Sequence, residues 1–171
     1  MITNPRGFTL IEAIVYLALF SLLMGGAVVS AYDVFESSGR GSTHATLQEE
    51  GSFLLAKVSW ALSGAQAITA PFVATPPCST PASTLTVSKW DATIGTVAIL
   101  QSGHSVSISR GGGAPLIINS PDVLVSNLSF TQCWGGGSNP DSVATSFTLS
   151  SRDLNGESVS QDFSSTDYVR R

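Results

Sequence analysis

One acidic side chain stands inside the longest apolar stretch of this 171-residue chain, and its type and position ask for a chemical explanation. Residues 8–32 read FTLIEAIVYLALFSLLMGGAVVSAY, apolar or small throughout, with Glu12 as the single charge. A carboxylate in a membrane helix costs ~2.5–3.5 kcal/mol on insertion scales, so it implies a function and a partner of opposite charge. Other reactive types are sparse. His44 and His104 are the only histidines, the second in a turn-like Ser-Gly-His-Ser, and both read as solvated. No Gly-x-Ser-x-Gly elbow supports a nucleophilic serine. The glycine runs at 111–113 and 135–137 lack the Lys-Ser/Thr that a phosphate-cradling loop carries. Cys78 and Cys133 are too few for a zinc site and lack Cys-x-x-Cys spacing. If the head lies outside the cytoplasm they are expected to form a disulfide; otherwise they are two buried thiols acting as small apolar residues. No catalytic, cofactor-binding or metal-ligating set emerges, and the chain does not read as an enzyme.

The elements that must position Glu12 begin with a membrane-length helix. A bilayer core takes about 20 apolar helical residues, and 8–32 supplies them. Arg6 precedes the segment and Asp33 and Glu36 follow it, which places the N-terminus in the cytoplasm and the head outside. The run 37–42, Ser-Ser-Gly-Arg-Gly-Ser, is a poor helix former and predicts a break. Beyond it Leu47, Gly51, Leu54, Val58, Ala61, Ala65 and Ile68 recur every three or four residues, predicting an amphipathic helix over 45–68. Trp60 lies off the centre of that stripe, to flank a sheet or face a neighbour.

Residues 70–83 hold four prolines and read as a linker without regular structure. The period then switches to two: Leu85 and Val87, Val97 and Ile99, Val106 and Ile108, Val123 and Val125, Leu128 and Phe130, then Val143, Phe147 and Leu149. The parity flip between Val125 and Leu128 predicts a bulge near Ser126 and Asn127. Five to seven antiparallel strands against one helix give an α+β fold with a head over 84–171. Trp134, beside Cys133, reads as a ring over a disulfide or as an exposed contact. Net charge is −4 and only 12% of residues are charged, so the basic footprint of a nucleic-acid binder is missing.

Three readings compete for the N-terminus. A secretory signal peptide could be cut after Val29-Ser30-Ala31, and an ordinary single-pass anchor would stay in place, but both leave Glu12 unexplained. The third starts from Arg6-Gly7-Phe8-Thr9-Leu10-Ile11-Glu12, which resembles the processing and methylation motif of type IV prepilins and type II secretion pseudopilins. The resemblance covers about the first 32 residues: a short basic leader (1–7) ending in glycine, then Phe-Thr-Leu-Ile-Glu and an unbroken apolar span. It implies cleavage between Gly7 and Phe8 by a prepilin peptidase, N-methylation of Phe8, and assembly with other pilins or pseudopilins through an inner-membrane platform. It also implies that Glu12 meets the N-terminal amine of a neighbouring subunit. Many major pilins carry a helix proline that 8–32 lacks; Gly25 and Gly26 stand there instead. That difference and the elaborate head favour a minor subunit.

Overall fold

The computed structural model describes residues 9–71, 78–135, 140–153 and 156–169, and the chain divides into two compact units, Met1–Gly41 and Ser42–Arg171. One helix, α1 (Leu10–Leu62), supplies all the regular structure of the first unit among these residues and enters the second. It runs without interruption through 37–42, where a break was expected. Two glycines cost ~1 kcal/mol each, but interrupting the ladder would require a second, unfavourable nucleation.

In the second unit, α1 is followed by eight strands among the described residues. They are β1 (Ala65–Ala70), β2 (Thr84–Lys89), β3 (Thr96–Ser102), β4 (Ser105–Arg110), β5 (Leu116–Ile117), β6 (Leu124–Cys133), β7 (Asp141–Arg152) and β8 (Ser158–Val169). They form two antiparallel sheets, β1-β2-β3-β4-β5 and β6-β7-β8, so the α+β expectation holds, with eight strands among the described residues where five to seven were expected. The helix also ends six residues sooner than expected. Gly64 takes a left-handed φ of 65°, the conformation that closes helices, and the residues read as its last turn become β1 against β2. Lys89 then caps α1: its Nζ donates to the carbonyl of Trp60 at 2.8 Å and to that of Ser63. The ammonium also lies 4.8 Å from the Trp60 ring centroid, and the Arg110 guanidinium 4.6 Å from the same ring. Desolvation there lowers the Lys89 pKa.

The part of the proline-rich segment that is described is not a free linker either. Ala82 exchanges backbone bonds with Phe130 (3.0 and 2.8 Å), and Ser79 donates to the Gln132 carbonyl at 2.7 Å. Proline removes its own donor, but the residues between prolines keep theirs and spend them on the edge of β6. Cys78 pairs with Cys133 across the same edge, and their sulfurs are bonded.

The core joins the α1 stripe, Leu47, Leu54, Val58 and Ala61, to the inward residues of both sheets, including Leu85, Ile99, Ile108, Phe130, Phe147 and Leu149. The bulge is where the sequence placed it: the β6–β7 register shifts between Ser126 and Ser129, and Asn127 adopts φ 55°. Gln101 of β3 fills the gap the bulge opens. Its Nε2 donates to the Val125 carbonyl (3.0 Å) and its Oε1 accepts from the Leu128 amide (3.0 Å), which stitches one sheet to the other. Buried Asn119 does the same for the β4–β6 connection, accepting from Val106 N and donating to the Val123 carbonyl, both at 2.8 Å.

Gly51 sits in the middle of the buried α1 stripe because a Cβ there would lie 2.2 Å from the Phe163 ring. That ring stacks on Phe147 at 5.4 Å between centroids and cannot simply retreat. Gly51→Ala gains ~1 kcal/mol of helix propensity and loses about 1–3 kcal/mol to overpacking. Urea denaturation should therefore show no gain, and most often a loss, where an exposed helix glycine would show a clear gain. The double variant Cys78→Ala/Cys133→Ala opens a loop with a sequence separation of 55. It should lower stability by about 4 kcal/mol in the chain-entropy account; an unchanged midpoint would mean that the hydrogen bonds from 79 and 82 hold that edge by themselves.

Candidate assembly site on the N-terminal helix

Thr9 stands one residue before α1 and serves as its cap. Its carbonyl accepts from the amides of Glu12 (3.1 Å) and Ala13 (3.2 Å), and its Oγ1 also accepts from Glu12 N at 3.3 Å. Thr-x-x-Glu is the spacing of a capping box, so Glu12 lies in the first turn, where the helix dipole favours negative charge. One turn further on, the Tyr16 hydroxyl lies 3.4 Å from Glu12 Oε1 and donates to it. The i,i+4 spacing of Glu12 and Tyr16 was a signal available in the sequence, as was the Thr9 cap.

Around that carboxylate the surface is apolar on every side. Leu10, Ile11, Ile14, Val15, Leu17, Leu19, Phe20, Leu22 and Leu23 are all exposed, and so are Met24, Val28, Val29 and Tyr32. A core helix buries one stripe and shows water the other; this segment buries none of its most apolar window, and it is long and apolar enough to cross a membrane. Residues 10–32 extend about 35 Å at 1.5 Å per residue, against a hydrocarbon thickness of about 30 Å. The polar side chains within it turn inward on the backbone: Ser21 Oγ donates to the Leu17 carbonyl at 2.6 Å and Ser30 Oγ to that of Gly26 at 3.0 Å. Gly25 and Gly26 face open space, with no atom within 4 Å of a hypothetical Cβ.

Gly7 and Phe8, at the expected processing and methylation site, lie outside the described residues, as does Arg6. Glu12 is held at the start of α1, and Cys78 and Cys133 are bonded in the head. His44 and His104 are exposed and lie on different elements: one is on α1, the other in the β3–β4 turn. Among the described residues no three of His, Cys, Asp and Glu come together as metal ligands could.

Two arginines in the apolar window, Leu19→Arg with Leu22→Arg, add ~5–7 kcal/mol to the cost of insertion. The full chain expressed with both should move from the carbonate-resistant membrane fraction to the soluble or aggregated one. Retention in the membrane fraction would show that this segment is not what anchors it.

Residues 2–28 match the prokaryotic N-terminal methylation motif. No curated protein and no solved structure matches the chain. With that motif leading into a long apolar helix, whose later turns pack on antiparallel sheets, the chain carries a type IV prepilin-like leader on a pilin-like α+β layout.

Proposed function

We propose that this chain is a structural subunit, and a minor one, of a type IV pilus or pseudopilus. A prepilin peptidase cuts between Gly7 and Phe8 and Phe8 is N-methylated. The subunit waits in the inner membrane with its N-terminus in the cytoplasm and its head outside. An inner-membrane platform then moves it into a helical filament with other pilins or pseudopilins. The observation that carries this reading is the conjunction of the methylation motif at 2–28 with an apolar helix surface that the protein itself leaves uncovered. Such a surface is compatible with lipid before assembly and with other helices of the same kind afterwards, so the same residues serve both states.

Glu12 supplies the direction of assembly. Once the leader is removed, a protonated amine terminates the chain four residues before Glu12, and the amine of a neighbouring subunit can pair with this carboxylate. In a low dielectric an unpaired ion is costly and a paired one much less so, so the pair selects register and recruitment more than it adds stability. Tyr16 and the Thr9 cap hold the carboxylate at the helix start while it waits. The bonded Cys78 and Cys133 accord with a head that matures outside the cytoplasm.

Mass spectrometry of the mature N-terminus tests the reading directly. Methylated Phe8 is expected; a chain beginning at Tyr32 would identify a secretory signal and overturn it. Glu12→Ala should leave membrane insertion intact while reducing incorporation into sheared filaments at least tenfold, and normal incorporation would remove the assigned role of the carboxylate.

A further inference from the structure

Between residues 9 and 35 only Glu12 is half-buried, and every other residue there is exposed. Tyr16 lies against it, one turn on. A helical side chain leans back over the turn before its own Cα. That lays the phenol ring toward the carboxylate and brings its hydroxyl to 3.4 Å from Oε1. Tyr16 is the one aromatic residue in the first two turns of α1, and no Lys, Arg or His occurs anywhere from 8 to 39. The helix therefore sets an acid beside an aromatic ring and supplies no cation of its own to either.

An acid alone attracts any ammonium ion, but an acid beside a ring discriminates. Methylation of an amine keeps the positive charge and replaces one N–H with a methyl group. A primary ammonium brings three donors to a site whose acceptor is one carboxylate. An N-methylated one brings two, together with a methyl that the ring face covers. A cation held on the ring's side of the carboxylate lies within about 6 Å of the ring centroid, the range over which an aromatic face attracts an ammonium. That attraction grows as water is excluded, and the side chains around the pair, Ile11 and Val15 among them, are apolar.

Resting on the filament reading for the source of that amine, we infer that Glu12 and Tyr16 together form a reader for an N-methylated terminal amine. The carboxylate takes the charge and the Tyr16 ring takes the methyl. The amine is that of a methylated N-terminal residue on a neighbouring subunit, and the methylation motif over 2–28 supports the presence of such a group. A modification that leaves the charge unchanged is then felt by the next subunit through Tyr16. Tyr16 sets which amine is preferred, whereas Glu12 sets whether an amine is held at all.

The test uses the full chain with its leader, in detergent micelles, so that its own Phe8 has no free amine. The probes are N-methylphenylalanine amide and phenylalanine amide, with concentrations corrected for partition into the micelle. The readout is the side-chain carboxyl resonance of isotope-labelled Glu12, identified by its absence in Glu12→Gln, with Glu36, Glu49, Glu50 and Glu157 as internal controls. A saturable shift confined to Glu12 is expected, with the methylated probe binding about threefold more tightly or better. Tyr16→Phe keeps the ring and should keep that preference, while Tyr16→Leu should bind both probes equally. No shift at Glu12, equal affinities for the wild-type chain, or a preference that survives Tyr16→Leu would each overturn the inference. So would a preference lost in Tyr16→Phe, which would give the role to the hydroxyl. None of these outcomes touches the filament reading, which stands or falls on the mass of the mature N-terminus and on the incorporation of Glu12→Ala.

Discussion

Leu47, Leu54, Val58 and Ala61 recur at three- and four-residue steps, so residues 42–62 have one apolar side, and both sheets of the head converge on it. Gly51 interrupts the stripe with a hollow rather than a side chain, and the Phe163 ring fills it. Around that contact the polar pairs fall into line. Gln161 Nε2 donates to Gln48 Oε1 at 2.6 Å on one side, and Ser59 donates to Asp167 on the other, so α1 and β8 advance together through the same three points. The rest of the head depends on this seam. With the glycine filled, the helix would have to lift, and the buried faces of β7 and β8 would lose their cover first.

The same helix obeys a different rule before residue 36. There apolar side chains surround the axis, the hydroxyls of Tyr16, Ser21 and Ser30 bond back to the helix or to a neighbour one turn away, and no face is reserved for water. A helix apolar all round needs either lipid or other helices, whereas a striped one needs a core. One secondary structure thus carries two solvation regimes in sequence, and the polar run near 37–42 marks the change of surface without ending the helix.

That distinction explains which parts of the architecture could be read from residue order. Periodicity of two located the core positions of β2, β3, β4, β6 and β7 but not β8, whose Phe163 and Val169 are separated by small and polar residues. The parity flip between Val125 and Leu128 located the bulge, because a side-chain alternation has no other way to change face. Periodicity of three and four carried the helix stripe, but it ran on past Leu62: Ala65 and Ile68 fit a helix face as well as a strand face. Gly64 held the deciding information, and its left-handed φ outweighs any pattern downstream. The prolines of 70–83 announced an irregular path but not its partner, since the bonds from Ser79 and Ala82 to β6 join residues about fifty apart. At the candidate site Glu12 was legible from its isolation, while Tyr16 was missed because a tyrosine within an apolar run looks like one more hydrophobic residue.

A head built on two open β-sheets must also keep its edge strands from pairing with those of other chains. Each sheet edge has a different answer. β1 is short, and its register with β2 slips twice, between Ala65 and Ala67 and between Ile68 and Ala70, so it offers no regular template. β5 is two residues long and follows Pro115. The open side of β6 is occupied by the 78–82 segment and its disulfide. Only β8 presents twelve residues at an edge, and it carries Asp162 and Asp167. A second β8 laid alongside in the antiparallel sense would bring these acids onto one seam, with no Lys or Arg within Ser158–Val169 to separate them, and like charges opposed across strands are destabilising. A chain with so few charges has placed two of its acids on the strand where pairing would otherwise be easiest.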